Sequence, residues 1–169
     1  MEKYESLRKE APVFVYKSYT ITETPDTVEI DYVFDFPGKA EFRPGWSFPK
    51  PNEFSPENDR VLERLAFSLG MAEAVSYWKA FCSPVFQVEC GELSSEQISW
   101  WKKLYFLGLG EFFYVNGISA DRDSFVDIKW DGKFKCTEEP LLPELNGCLV
   151  PVGGGKDSAL TLETLTRAG

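Results

Sequence analysis

The residues with the clearest chemical potential form a glycine-rich loop near the end of the 169-residue sequence. An apolar run at residues 148–152 precedes this loop, and residues 159–167 have a helix-forming composition. Glycines let backbone amides approach an anion without an intervening Cβ atom, and a helix that begins at the loop adds its unpaired N–H groups. A lysine contributes a positive charge, and a serine contributes a hydroxyl donor. The sequence therefore predicts a phosphate-binding loop made of Gly153, Gly154, Gly155, Lys156, Asp157 and Ser158.

The spacing of this loop excludes two common nucleotide-binding motifs. A Walker A loop requires G-x-x-x-x-G-K-[ST], but Asp157 follows the lysine, and Val150 stands where the first glycine is needed. A Rossmann G-x-G-x-x-G loop would need glycine in place of Ser158. The loop instead resembles the S-G-G-x-D-S loop of the PP-loop ATP pyrophosphatases, with Gly153 in place of the usual first serine. That resemblance implies ATP as the ligand; the alternative is a flexible turn before a surface helix.

The composition describes a globular, acidic chain. Hydrophobic residues make up 43% of the sequence, and the formal net charge is −9. Without a dense Lys/Arg run, a nucleic-acid partner is not expected.

The absence of histidine excludes a Ser-His-Asp triad and a histidine-ligated metal within this sequence. The four cysteines are widely spaced, as is typical of reduced thiols in the cytosol: Cys82, Cys90, Cys136 and Cys148. The charged first residues and the lack of a long apolar run predict no membrane partner and a cytoplasmic location.

The first half of the sequence predicts strands followed by a helix. Residues 13–22 are rich in β-branched and aromatic types, residues 27–36 alternate apolar and polar side chains, and residues 40–48 form a third aromatic run. Alternation with a period of two indicates strands with one buried face, so these three segments predict an antiparallel meander. A first helix is expected from the N-cap Ser55 to about residue 81.

The second half of the sequence predicts another helix and several short strands. Ser94 and Gln97 match a capping box, which predicts a helix that continues to the glycines at 108 and 110. Asn116-Gly117 predicts a turn, and Asp131-Gly132 predicts a hairpin turn. The short strands are expected at residues 85–90, 112–115, 125–130 and 133–136.

The predicted fold class is α+β: an antiparallel meander with two main helices, followed by the first strand, loop and helix of a PP-loop α/β domain. A Pro/Glu-rich connector at residues 138–144 separates an N-terminal domain, residues 1–145, from the beginning of the ATP-binding domain, residues 146–169. A complete PP-loop domain needs many more residues after its first helix. We therefore expect this chain to be the N-terminal part of a longer enzyme that binds ATP poorly on its own.

Four segments carry a more specific resemblance. They are SYWKAFCSP at residues 76–84, WWKKLYF at residues 100–106, GLGEFF at residues 108–113 and LVPVGGGKDS at residues 149–158. Together they resemble the UDP-N-acetylmuramoyl-L-alanyl-L-glutamate epimerase (MurL) family, from about residue 55 to the end of the chain. The resemblance implies ATP-dependent inversion of the terminal L-glutamate of a UDP-muramoyl dipeptide, for peptidoglycan synthesis, with release of AMP and pyrophosphate. It also implies Mg²⁺ bound with the ATP.

The resemblance leaves the proton-transfer residues unassigned. Cys82 and Cys90 are candidates because thiols act as paired bases in cofactor-free racemases, but inert core positions are more common for free cysteines. Glu111 is equally consistent with a solvated carboxylate. Three tryptophans could stack on a uracil ring or simply fill the core: Trp78, Trp100 and Trp101.

Two other functions remain open at this stage. One is another PP-loop adenylating enzyme, such as a tRNA-modifying or amide-forming ligase. The excess of acidic over basic residues and the absence of a C-x-x-C pair count against tRNA thiolation. The other is a non-catalytic binding module with a degenerate loop.

Overall fold

A computed structural model describes residues 2–50, 59–132 and 150–168 of the chain. Its helices are α1 (Glu2–Glu10), α2 (Asp59–Trp78), α3 (Ser95–Gly108), α4 (Gly110–Val115) and α5 (Lys156–Ala168). Its strands are β1 (Val13–Glu23), β2 (Thr27–Phe36), β3 (Ala40–Phe42), β4 (Gly45–Pro49), β5 (Val85–Val88) and β6 (Asp127–Trp130). The α+β class is therefore confirmed for the described residues.

The strands form one mixed sheet in the order β3-β2-β1-β5-β6, with β4 also paired to β2. The predicted antiparallel pairing is present, because β1, β3 and β4 each pair with β2 in the antiparallel sense. The third predicted segment, residues 40–48, forms two short strands, β3 and β4, and not one. The sequence did not predict that β5 pairs parallel to β1 and that β6 pairs parallel to β5. Parallel neighbours need long crossover connections, and here α2 lies between β1 and β5 in the chain while α3 and α4 lie between β5 and β6.

A β-bulge interrupts the pairing of β1 with β2. Tyr16 pairs with Phe34, but the next paired residue of β1, Ser18, lies opposite Val33. Lys17 is the extra residue, so the side chains that follow it change face relative to a regular strand. As a result Tyr19 pairs with the buried Tyr32, and the rings of Tyr16 and Tyr19 lie 6.4 Å apart.

Helix α2 covers the aromatic face of the sheet. The most deeply buried side chains of β1 and β2 are aromatic, and they lie in one cluster with small or flexible α2 residues: Phe14, Tyr16, Tyr32, Phe34, Phe36, Ala66, Met71 and Ala74. Gly70 allows this close approach, because a Cβ atom at that position would overlap the Tyr16 hydroxyl. The Tyr32 hydroxyl donates a hydrogen bond to the Ala66 carbonyl at 3.0 Å, which fixes the helix on the sheet.

Helix α3 begins as the sequence predicted. The Ser94 hydroxyl accepts a hydrogen bond from the Gln97 amide at 3.2 Å, and the Gln97 side chain accepts one from the Ser94 amide at 2.8 Å. Tyr105 then donates to the Met71 carbonyl at 2.5 Å and links α3 to α2. The Asn116-Gly117 turn is also present, and Gly117 adopts a φ of 60°.

The predicted strand at residues 112–115 is wrong, because this segment lies in helix α4. Aromatic residues favour strands only when a neighbouring strand is available to pair with them. Here Phe113 is buried against Phe106 and Phe125, with ring centroids 5.8 and 6.0 Å away. Helix α1 was not predicted at all.

Several predictions fall wholly or partly outside the described residues. These are the Ser55 N-cap, the strand at residues 133–136 and the connector at residues 138–144. The predicted strand at residues 148–152 is described only from Val150 onward, and residues 150–152 are not in a strand. The predicted terminal helix is present as α5.

Candidate nucleotide-binding loop

The three glycines of the loop lie immediately before α5, and Lys156, Asp157 and Ser158 form the first residues of that helix. The loop is exposed along most of its length. Gly154 adopts a φ of +79°, in the left-handed region that favours glycine. A Cβ atom added at Gly153, Gly154 or Gly155 would meet nothing within 4 Å. The three glycines therefore border open space, into which an anion can approach the backbone.

The loop amides are available as donors. No acceptor among the described residues pairs with the backbone amides of residues 153–158, whereas the Ala159 amide already donates to the Gly155 carbonyl at 3.3 Å. The first amides of a helix lack intrahelical acceptors, and the helix dipole makes this end favourable for negative charge. Together these amides provide unpaired donors at the N-terminal end of a helix of 13 residues.

The side chains of the loop complement its amides. Lys156 and Asp157 are exposed, and neither forms an ion pair with another described residue. The Ser158 hydroxyl donates a hydrogen bond to the Gly155 carbonyl at 3.1 Å. In this arrangement Ser158 Oγ can accept a further hydrogen bond but has no proton left to donate. A bound phosphate would need this hydroxyl to rotate before it could donate to the ligand.

No cluster of three or more histidine, cysteine or acidic side chains suited to a metal ion occurs in the part of the chain that the structure describes. Mg²⁺ commonly binds through one or two carboxylates together with substrate phosphates and water, so a protein cage is not required. The exposed Asp157 carboxylate beside the loop fits that donor set.

The two described cysteines lie in the body of the domain. Burial raises the pKa of Cys82 to about 11, against the opposing effect of Arg8. Burial likewise raises the pKa of Cys90 to about 12, opposed by its contact with the Tyr16 hydroxyl. Both thiols are therefore protonated near neutral pH, and neither is a ready proton acceptor in this arrangement.

The remaining sequence candidates are dispersed. Trp78 and Trp101 are core residues, and Trp78 Nε1 donates to the Ser83 carbonyl at 2.9 Å. Trp100 and Glu111 are exposed on α3 and α4. No hydrogen bond or ion pair among the described residues joins Cys82, Cys90 or Glu111 to the loop. The structure thus shows the six loop residues side by side, as their sequence positions require, and within residues 2–50, 59–132 and 150–168 no distant side chain joins them.

The sequence did not predict that two aromatic residues, Trp46 and Phe48, are exposed. Trp46 and Phe48 stack on β4 with ring centroids 6.1 Å apart and an interplanar angle of 12°. Their alternation within an aromatic run predicted a strand but gave no indication that both rings face solvent.

The chain thus combines an α+β domain with an open, glycine-rich loop at the N-terminus of a helix. The chain matches the MurL N-terminal domain over residues 5–169, and it belongs to that family. None of the described helices is long and apolar enough to cross a lipid bilayer.

Two curated relatives are named UDP-N-acetyl-alpha-D-muramoyl-L-alanyl-L-glutamate epimerase. The protein from Xanthomonas oryzae pv. oryzae is 31% identical over 112 residues, which cover 66% of this chain and 24% of the relative. The protein from Micromonospora sp. is 30% identical over 171 residues, which cover 98% of this chain and 36% of the relative. This chain therefore spans between a quarter and about a third of the relatives' length. No solved structure matches it.

Proposed function

We propose that this chain is the N-terminal part of an ATP-dependent epimerase that acts on UDP-N-acetylmuramoyl-L-alanyl-L-glutamate. The enzyme inverts the terminal L-glutamate to D-glutamate and so supplies the D-amino acid for peptidoglycan synthesis. The observation that carries the proposal is the membership of the MurL N-terminal domain family, together with the open loop at residues 153–158.

The chemistry of the substrate explains why ATP is needed. The α-proton of glutamate lies beside a carboxylate, so its removal places a second negative charge next to the first. Transfer of AMP to that carboxylate releases pyrophosphate and converts the group into a mixed anhydride without the original charge. A base can then remove the α-proton, and an acid can return a proton to the opposite face. Water finally cleaves the anhydride to release AMP and the inverted glutamate.

The loop suits the pyrophosphate end of ATP. The amides of residues 153–158 and the N-terminal end of α5 would donate to phosphate oxygens, and Lys156 would add a positive charge. Asp157 would contribute a carboxylate oxygen to Mg²⁺, which neutralises phosphate charge when it is bound. We assign no proton-transfer role to Cys82 or Cys90, because burial raises the pKa of each thiol well above neutral pH.

A product assay tests this function. The complete product of the gene that encodes this chain is incubated with Mg²⁺, ATP and the UDP-muramoyl dipeptide, and the nucleotides and glutamate stereochemistry are analysed. AMP, pyrophosphate and D-glutamate should form together, and only when the dipeptide is present. Formation of ADP and phosphate, or AMP release without inversion, would refute the proposal. AMP release stimulated by tRNA would indicate a different PP-loop enzyme, and dipeptide binding without any ATP consumption would indicate a binding module.

A further inference from the structure

Helix α3 presents a row of large apolar side chains to solvent on the face opposite its buried residues. Trp100, Leu104 and Leu107 are 56%, 44% and 66% exposed. Their spacing of four and then three residues places them on one face of the helix, in the pattern of a helix that packs against another element. Trp101 and Tyr105 of the same helix are buried and attach α3 to the core. We call the surface formed by Trp100, Leu104 and Leu107 the α3 stripe.

We infer that the α3 stripe is the docking surface for the part of the longer polypeptide that follows residue 169, an inference that rests on the proposal that this chain begins a longer enzyme. The family relatives are about three to four times as long as the segment they share with this chain, so a large amount of polypeptide is available to pack against it.

The size of the α3 stripe favours an attached partner over a free one. Three side chains at these exposures present on the order of 300 Å² of apolar surface. A stable complex of separate molecules buries roughly 800 Å² on each partner, so the stripe alone is too small to hold a second copy. A segment joined covalently to the same chain has an effective concentration in the millimolar range and needs far less contact.

Charge also disfavours a second copy of this chain on the stripe. The formal net charge of −9 makes two copies repel each other. The occupant expected from these properties is an apolar helix face within the following polypeptide.

Thiol labelling tests the inference without using enzymatic activity. Leu107→Cys is introduced into the 169-residue chain and into the complete gene product, and the rate of alkylation at that site is followed by peptide mass spectrometry. Leu65→Cys serves as the matched control, because Leu65 on α2 is also a leucine and is similarly exposed, at 62%. The cysteine at 107 should react at least about tenfold more slowly in the complete product, which corresponds to an opening free energy above ~1.4 kcal/mol. The cysteine at 65 should react at similar rates in the two proteins.

Two other results of the labelling experiment overturn the inference. Equal reactivity of the cysteine at 107 in both proteins would mean that nothing covers the stripe, as would a gene product that ends near residue 169. Protection that develops in the 169-residue chain with increasing concentration, together with a dimer mass in light scattering, would assign the stripe to a second copy. Hydroxyl-radical footprinting of Trp100 compares the 169-residue chain with the complete gene product without any substitution. Trp100 should be oxidised more slowly in the complete product. Absence of epimerisation by the unmodified complete gene product, with protection at position 107 intact, would refute the proposed function while leaving the docking surface in place.

Discussion

Arg8 and Cys82 are joined by a hydrogen bond in which Arg8 Nη1 donates to the Cys82 carbonyl oxygen at 2.6 Å. The same nitrogen donates to the Phe125 carbonyl at 2.7 Å and to the Tyr4 hydroxyl at 2.9 Å. One side chain of α1 therefore connects the segment after α2 to the segment before β6. Cys82 itself has a φ of 54°, which is unusual for a residue other than glycine, so its backbone is held in place by its surroundings.

Replacement of Arg8 should destabilise the whole domain. Arg8→Ala removes a charged donor from two backbone carbonyls, and hydrogen bonds to charged groups contribute about 1.5–3 kcal/mol. We expect the free energy of unfolding in urea to fall by about 2 kcal/mol. Lys9→Ala is the matched control, because Lys9 is the exposed neighbour on the same helix and should change stability by less than about 0.5 kcal/mol. Equal effects of the two substitutions would show that the Arg8 contacts do not hold α1 in place.

Gly70 should be intolerant of a side chain. Gly70→Ala places a Cβ atom against the Tyr16 ring and hydroxyl, and overpacking of this kind costs about 1–3 kcal/mol or more. Tyr16→Phe should restore part of that stability, because it removes the nearest clashing atom. Among the described residues the buried Tyr16 hydroxyl forms no hydrogen bond of good geometry and has only the weakly polar Cys90 thiol as a polar neighbour, so its removal should be nearly neutral by itself.

A different helical glycine provides the control for this experiment. Gly108 lies at the end of α3, and a Cβ atom there would meet nothing within 4 Å. Gly108→Ala should therefore raise the free energy of unfolding slightly, through the higher helix propensity of alanine. A double variant of Gly70→Ala and Tyr16→Phe that is no more stable than Gly70→Ala alone would place the steric conflict elsewhere.

The raised pKa values of the thiols make stability depend on alkaline pH. In the folded state the pKa values of Cys82 and Cys90 are about 11 and about 12, compared with an ordinary value of 9.0. Above pH 9 the unfolded chain loses these protons while the folded chain keeps them, so the free energy of unfolding falls as pH rises. The loss begins near pH 9 and continues to about pH 12, with a limiting slope of ~1.4 kcal/mol per pH unit for each thiol.

Urea unfolding at pH 8 and pH 10 measures this loss. Cys90→Ala should lose less stability between the two pH values than the unmodified chain, although it starts from a lower stability at pH 8. Buried tyrosines, whose pKa values are also raised by burial, contribute the dependence that remains. Identical pH dependence in the variant and the unmodified chain would contradict the burial of the Cys90 thiol.

The loop makes a kinetic prediction for the complete gene product. Lys156→Ala removes the only cationic side chain of residues 153–158, and the KM for ATP should rise by several-fold to tenfold, equivalent to about 1 kcal/mol. Arg167→Ala is the control, because Arg167 lies at the other end of α5 and pairs with Glu163. An unchanged KM for ATP after Lys156→Ala would mean that this side chain points away from the phosphates.

The sequence predicted those parts of the fold that short-range patterns determine. In β2 the alternation of Val28, Ile30, Tyr32, Phe34 and Phe36 matches their burial on one face. The capping box at Ser94 marked the beginning of α3 because its hydrogen bonds are local. The loop at residues 153–158 was visible for the same reason, since all six of its residues are adjacent in the chain.

The remaining features depend on distant partners. Val85–Val88 is only four residues long and carries no information about the direction of its neighbour β1. The aromatic residues of α4 favour a strand in isolation, but burial of Phe113 against Phe106 and Phe125 fixes a helix. Helix α1 is strongly polar, and its attachment depends on Arg8, whose acceptors lie 74 and 117 residues away in sequence. Proton-transfer residues that converge from separate segments leave no comparable local pattern.

The extra residue in β1 makes that strand one residue longer than the part of β2 with which it pairs. Because Lys17 has no partner residue on β2, one continuous strand directs both Tyr16 and Tyr19 toward α2. In a regular strand two residues three positions apart would face opposite sides of the sheet. Removal of that single lysine would leave Tyr16 paired with Phe34, Ser18 with Val33 and Tyr19 with Tyr32, so the two strands would alternate regularly and Tyr19 would keep its face. In this domain a one-codon deletion at position 17 would therefore keep Tyr19 and Ile21 beneath α2 and remove only the local irregularity of the strand.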